Sequence, residues 1–228
     1  MFAIIQNDPH CPAGGCASVL AASGQPFRIV AAYREEPLPD PAGLTGAIVL
    51  GGEMGVYETG SFPHLERVRA LMAEALRAGT PLLGICLGGQ LLAQVAGGLV
   101  SSPSRHQEKG VCLVELNEQG ASDPLFAGVA TPFVTFQLHD DSFTVPPGAT
   151  LLAGSAACPA QAFRLGDCAY GLQFHPEADP AIVSDWGACS TPPTDFLAVF
   201  LADQLPFEAA SQRILANFIS LAAALPRP

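Results

Sequence analysis

The stretch Pro81-Leu-Leu-Gly-Ile-Cys-Leu-Gly-Gly-Gln90 decides the fold, because it sets one cysteine between a short apolar run and a helical pattern. Leu82, Leu83 and Ile85 read as a buried strand, while Leu91, Leu92, Val95 and Leu99 recur at helical spacing. Cys86 is therefore predicted on a sharp strand-turn-helix elbow, the place where an α/β enzyme presents a nucleophile. Gly84, Gly88 and Gly89 suit that turn, since residues without Cβ adopt strained dihedrals and let a substrate approach the backbone. Amides at the start of the following helix favour a negatively charged sulfur, the reactive form. An inert buried cysteine is the competing reading.

A second run, Ala169-Tyr-Gly-Leu-Gln-Phe-His-Pro-Glu177, carries a histidine and a carboxylate two residues apart. In an extended segment such residues point to the same side. Glu177 can then hold the His175 ring in one tautomer while His175 exchanges a proton with Cys86, giving a Cys-His-Glu triad. The alternative is a satisfied strand histidine beside a solvated carboxylate.

Outward from these two runs, the chain reads as an open, mostly parallel sheet with helices on both faces, flavodoxin-like with a mixed edge. Strands are predicted at 2–6, 27–32 and 47–50, and helices at 16–23 and 62–78, the latter stopped by Gly79-Thr-Pro81. Beyond Gly97-Gly98 come short alternating segments at 110–116, 133–138, 150–155, 161–165 and 169–173. One domain over 1–228 is expected, its catalytic core about 1–180 and a C-terminal wrap and helix over 181–228. Residues 178–194, with the lone Trp186, are expected to wrap the surface near the site or to meet a partner. Phe207, Ala210, Ile214, Phe218, Leu221 and Leu225 mark an amphipathic helix that packs on the core or forms a homodimer interface.

Composition narrows the function classes. Only 14% of the 228 residues are charged and 49% are hydrophobic, enough to build a large core. A formal net charge of −11 repels phosphate backbones, so nucleic acid is not an expected partner. The longest weakly polar stretch, 82–100, is broken by glutamines and glycines, so no membrane span is expected. The seven cysteines lack paired zinc spacing, and neither a metal nor a cofactor is expected. The odd count, the free Cys86 and the absence of a secretory signal at Met1-Phe-Ala-Ile-Ile point to a reducing, cytoplasmic setting.

Taken together, Ile48-Val-Leu-Gly-Gly52, Gly84-Ile-Cys-Leu-Gly-Gly-Gln90 and Gln173-Phe-His-Pro-Glu177 make the chain resemble the class I, or triad, glutamine amidotransferases. Within that family it is most similar to stand-alone relatives of the GMP synthase amidotransferase domain. Asp123-Pro-Leu-Phe126, Phe136-Gln-Leu-His-Asp140 and the run from Pro146 to Phe163 support this. The resemblance implies Cys86, His175 and Glu177 as catalytic residues, with backbone oxyanion donors at Gly52 and Leu87. It also implies Gln90 and His139 as substrate contacts. Ordinary structural readings exist for each: Gly51-Gly52 as a plain strand end, Gln90 as a polar helix residue, His139 as a solvated loop residue.

The chain departs from the pattern at Glu53, where many relatives have a proline that would stiffen the turn. Glu53, Tyr57, Glu58 and His64 are read as surface residues, with a specificity role as the alternative. The substrate is expected to be glutamine, its ammonia passing to a separate synthase subunit or other acceptor, since no phosphate-cradling loop is found. Two other hypotheses stand beside it: a γ-glutamyl peptide hydrolase with the same triad, and a non-catalytic regulatory or interaction module.

Overall fold

The first strand, β1 (Phe2–Gln6), turns Phe2 and Ile4 to one face and Ala3 and Ile5 to the other, and all four are fully buried. A strand apolar on both sides has to be covered on both sides. The computed structural model, which describes residues 1–225, shows how. In chain order follow α1 (Gly14–Ala22), β2 (Phe27–Ala31), β3 (Gly46–Val49), α2 (His64–Ala78), β4 (Leu82–Ile85) and α3 (Leu87–Val95). Next come β5 (Val100–Ser101), β6 (Glu108–Leu116), α4 (Glu118–Ser122), β7 (Phe133–His139), β8 (Ser142–Phe143), β9 (Thr150–Gly154), β10 (Ala162–Leu165) and β11 (Ala169–Leu172). Three helices close the chain: α5 (Pro180–Cys189), α6 (Phe196–Ala202) and α7 (Gln204–Ala224).

The main sheet runs β2-β1-β3-β4-β11-β10-β9-β6-β7. Its first five strands are mutually parallel and the remaining pairings antiparallel, which is the mixed edge predicted from the short alternating segments. On one face Phe2, Ile4, Ile48 and Leu83 pack with Leu20 of α1 and with Ile214 and Phe218 of α7. On the other face Ala3, Ile5 and Val49 meet Leu65, Val68 and Met72 of α2 and Leu91 and Leu92 of α3. Each fully buried leucine or phenylalanine contributes about 1.5–3 kcal/mol to this two-sided core.

Helix α2 buries the predicted stripe and stops at Gly79, whose φ of 68° lets its N–H reach back to Ala75 O and Leu76 O. The helical spacing carried to Leu99 in the sequence does not hold. Helix α3 ends at Val95, Gly97 turns the chain at φ 84°, and Leu99 is 71% exposed. His64, expected at the surface, is buried at the start of α2. Phe207, Ile214 and Phe218 of α7 are buried in this chain, so the predicted apolar face is used for packing. Residues 226–228 of the expected C-terminal segment lie outside the described residues. Among the described residues no helix is long and apolar enough to cross a membrane.

Candidate active site

Four loops meet at the carboxyl ends of parallel strands: after β1, after β3, after β4 and after β11. This is where open α/β sheets hold ligands. Cys86, between β4 and α3, takes φ 49° and ψ −108°, a conformation strained for a residue with a side chain. Its N–H donates to Leu172 O of β11 at 2.8 Å, locking the elbow to the neighbouring strand. Gly88 explains how the helix can begin so close to the sheet, since a Cβ there would stand 2.1 Å from Val49 O. The sulfur itself lies 3.7 Å from Gln173 Nε2, which donates to it, and 3.9 Å from Leu138 O.

His175 and Glu177 form the second half of the site. His175 Nδ1 and Glu177 Oε1 are 2.8 Å apart, with side chains only 3% and 1% exposed. A carboxylate cannot donate, so Nδ1 carries the proton and Nε2 faces the cysteine side. The His175 N–H donates to Phe136 O and the Gly15 N–H donates to Glu177 O, so the loop is pinned at both residues. Burial pulls the imidazole pKa down, but the charges of Glu177 and of the Cys86 sulfur outweigh it and raise the value to about 10. Nε2 has no hydrogen-bond partner in this geometry and is left for the reacting groups. The ring packs edge-on against Trp186, centroids 4.6 Å apart, and the indole N–H donates to His10 O at 2.7 Å. A Cβ on Gly51 would lie 3.2 Å from His175 Cε1 and 3.6 Å from Cys86 Cβ, so position 51 sits against both.

A cavity of about 330 Å³ opens over these groups, lined among others by Asp8, Gly52, Glu53, Cys86, Leu138 and His175. Thus Cys86, His175 and Gly52, brought from three distant parts of the sequence, share one space, while Leu87 begins α3 beside Cys86 with its N–H lacking an intrahelical partner.

The two residues expected as substrate contacts both have protein partners. Gln90 is 3% exposed, and its Nε2 reaches Asp141 O at 3.3 Å and Gln173 Oε1 at 3.5 Å. His139 does not reach the cavity. Strand alternation sends its neighbours Leu138 and Asp140 to the lining and turns His139 inward. There Nδ1 bonds Asp141 O at 2.9 Å and Nε2 lies 3.7 Å from Glu108 Oε2. Cys158 completes a close cluster with Glu108 and His139. The Glu108 carboxylate already accepts from Ser155 Oγ and Gln161 Nε2, and burial pushes the Cys158 thiol up to about 11. The cluster reads as a polar buttress joining β6, β7 and the turn before β10.

Sequence reasoning gave no role to Gln173, although the same two-residue period that pairs His175 with Glu177 puts Gln173 on their side. It also gave none to Asp8 or Cys11, which line the cavity from the loop after β1. In the loop at 53–58 Glu53, Tyr57 and Glu58 are exposed, as expected, while Met54 and Val56 between them are buried; the Tyr57 hydroxyl donates to Val100 O, and Glu58 accepts the Gly55 N–H at 2.7 Å.

Fold and site define an α/β protein built around a cysteine elbow. The family model described as glutamine amidotransferase class-I matches residues 23–182, and the chain belongs to that family. It is 41% identical over 133 residues to the GMP synthase [glutamine-hydrolyzing] of Thermomicrobium roseum, covering 58% of this chain and 23% of the relative. The corresponding protein of Porphyromonas gingivalis is 36% identical over 148 residues, 64% of this chain and 27% of its own length. The match therefore spans about a quarter of the length of these curated relatives. Among solved structures, a glutamine amido transferase from Methylobacillus flagellatus superposes with a TM-score of 0.87 at 26% identity, covering 100% of this chain and 96% of that one. A glutamine amidotransferase from Thermotoga maritima gives 0.85 at 26% identity, with 96% and 97% covered.

Proposed function

We propose that this chain hydrolyses the side-chain amide of glutamine through Cys86, His175 and Glu177, and that the ammonia serves a separate synthase subunit. The observation that carries the reading is the convergence of a strained cysteine elbow and a buried His-Glu pair on one cavity. Membership of the class I family and similarity to GMP synthases support glutamine as the substrate.

In this reading the Cys86 thiolate attacks the amide carbonyl, and the oxyanion is met by the N–H groups of Leu87 and Gly52. The C–N bond breaks as the His175 Nε2 proton passes to the leaving nitrogen, releasing ammonia and leaving a glutamyl thioester. Water then attacks the thioester, giving its proton to Nε2, and the sulfur departs as thiolate with glutamate released. Glu177 holds the Nδ1–H throughout and stabilises the imidazolium. Gln173 Nε2, beside the sulfur, stabilises its negative charge. Gln90 holds Gln173 and the Asp141 turn through its Nε2, which makes it a positioning residue.

The test is ammonia release from free glutamine, compared between the native chain and Cys86→Ala, and against hydrolysis of a γ-glutamyl dipeptide. Cys86-dependent ammonia release supports the reading. Turnover of the dipeptide alone would replace it by a γ-glutamyl hydrolase, a reading favoured by the Glu53 and Asp140 carboxylates on the cavity wall. That wall is partly neutralised, since Lys109 Nζ lies 2.9 Å from Asp140.

A further inference from the structure

The geometry points to Asp8 as a positioning residue that holds the Gly52 amide in register with Cys86, an inference that rests on the amide-hydrolysis reading above. Asp8 follows β1 and is 1% exposed, so its carboxylate has to find donors inside the protein. One oxygen accepts the His10 N–H at 2.7 Å, which shapes its own loop. The other accepts the Glu53 N–H at 3.0 Å, reaching across to the turn after β3.

The preceding residue secures the other flank of that turn. Asn7 Nδ2 donates to Leu50 O at 2.7 Å, and the Leu50 N–H donates to Ile5 O at 3.0 Å. Gly51 and Gly52 are thus bracketed by bonds to the loop after β1. Such a bracket is needed because paired glycines have the greatest backbone freedom, whereas an oxyanion donor stabilises charge only if it is already aimed. A side chain at 52 would have to displace its neighbours, since a Cβ there would stand 2.5 Å from Met54 Sδ and 2.9 Å from Leu87 Cδ2. A proline at 53 would have no N–H to donate, so the tether from Asp8 exists only because a residue other than proline stands there. Asp8 and Glu53 substitute a hydrogen bond across the sheet for a ring within the turn.

The experiment compares two reactions at Cys86, read by mass spectrometry of its peptide. Acylation by p-nitrophenyl acetate passes through an oxyanion, whereas alkylation by iodoacetamide does not. Asp8→Asn preserves volume and is expected to slow acylation about 10- to 100-fold while alkylation is unchanged. The same substitution on a Glu53→Pro background, where no amide remains to be held, is expected to slow acylation far less. Unchanged acylation in Asp8→Asn, an equal slowing of both reactions, or an equal effect on the Glu53→Pro background would each overturn the assignment. Because the ester acylates Cys86 whatever amide the protein cleaves, a native chain inert toward glutamine would count against the proposed function and leave this measurement decisive for Asp8.

Discussion

Glu177 Oε1 and His175 Nδ1 share a 2.8 Å hydrogen bond in which neither side chain is more than 3% exposed to water. Replacing the carboxylate while keeping its shape, Glu177→Gln, leaves the ring without a counter-charge and free to adopt the wrong tautomer. The expected result is a fall in kcat on the order of 10²- to 10⁴-fold, with little change in KM, measured as ammonia release under saturating glutamine. A variant retaining native kcat would remove Glu177 from the mechanism.

The same pair sets a pH dependence. His175 is raised from its ordinary 6.5 to about 10, so its folded form holds a proton that the unfolded chain releases earlier. Its contribution to stability is fully present below pH 6.5 and is lost as the pH climbs toward about 10. Imidazole NMR resonances should show His175 protonated at neutral pH, and Cys86→Ala should lower its midpoint by removing the sulfur's charge. An unshifted midpoint in that variant would mean that the sulfur and the ring do not communicate.

Gly51 and Gly88 make a contrasting pair. Gly88→Ala forces a methyl against the Val49 carbonyl at 2.1 Å, a backbone clash that α3 can relieve only by moving off the sheet. A stability loss of about 1–3 kcal/mol is expected by chemical denaturation. Gly51→Ala meets the His175 ring at 3.2 Å, a closeness that a shift of a few tenths of an ångström relieves at the expense of the ring's aim, so it should cost kcat more than stability. Equal stability losses in the two would contradict this division.

His139 and Trp186 test which residues matter to the reacting groups. His139→Asn should leave KM for glutamine unchanged while costing about 1–3 kcal/mol, because it disrupts the buried bond from Nδ1 to Asp141 O rather than a substrate contact. A raised KM would return His139 to the binding site. Trp186→Phe keeps a ring beside His175 but deletes the bond to His10 O, with an expected stability loss of about 1 kcal/mol.

Much of the fold was legible because parallel strands buried on both faces leave continuous apolar runs, as in Phe2 to Gln6 and Leu82 to Ile85. The elbow was legible for a local reason: strand, cysteine, glycines and helix are contiguous at 82–95. Helix α6 was not, because its seven residues, Phe-Leu-Ala-Val-Phe-Leu-Ala, have apolar character all round and show no period. The roles of Asp8 and Trp186 were equally hidden. Each acts through a backbone group far away in sequence, Asp8 on Glu53 and Trp186 on His10, and no spacing rule encodes such a pairing. The strand predicted at 133–138 runs one residue further, and its alternation, which a reading of His139 as a loop residue did not include, fixes the direction of that side chain.

The matched family span ends at residue 182, yet Trp186, Cys189, Ser190 and Thr191 also border the cavity. Part of the cavity lining is therefore contributed by a stretch of chain outside the matched span. An engineer who exchanges Cys189, Ser190 and Thr191 while keeping Trp186 against His175 can change what the cavity admits and leave the cysteine elbow untouched.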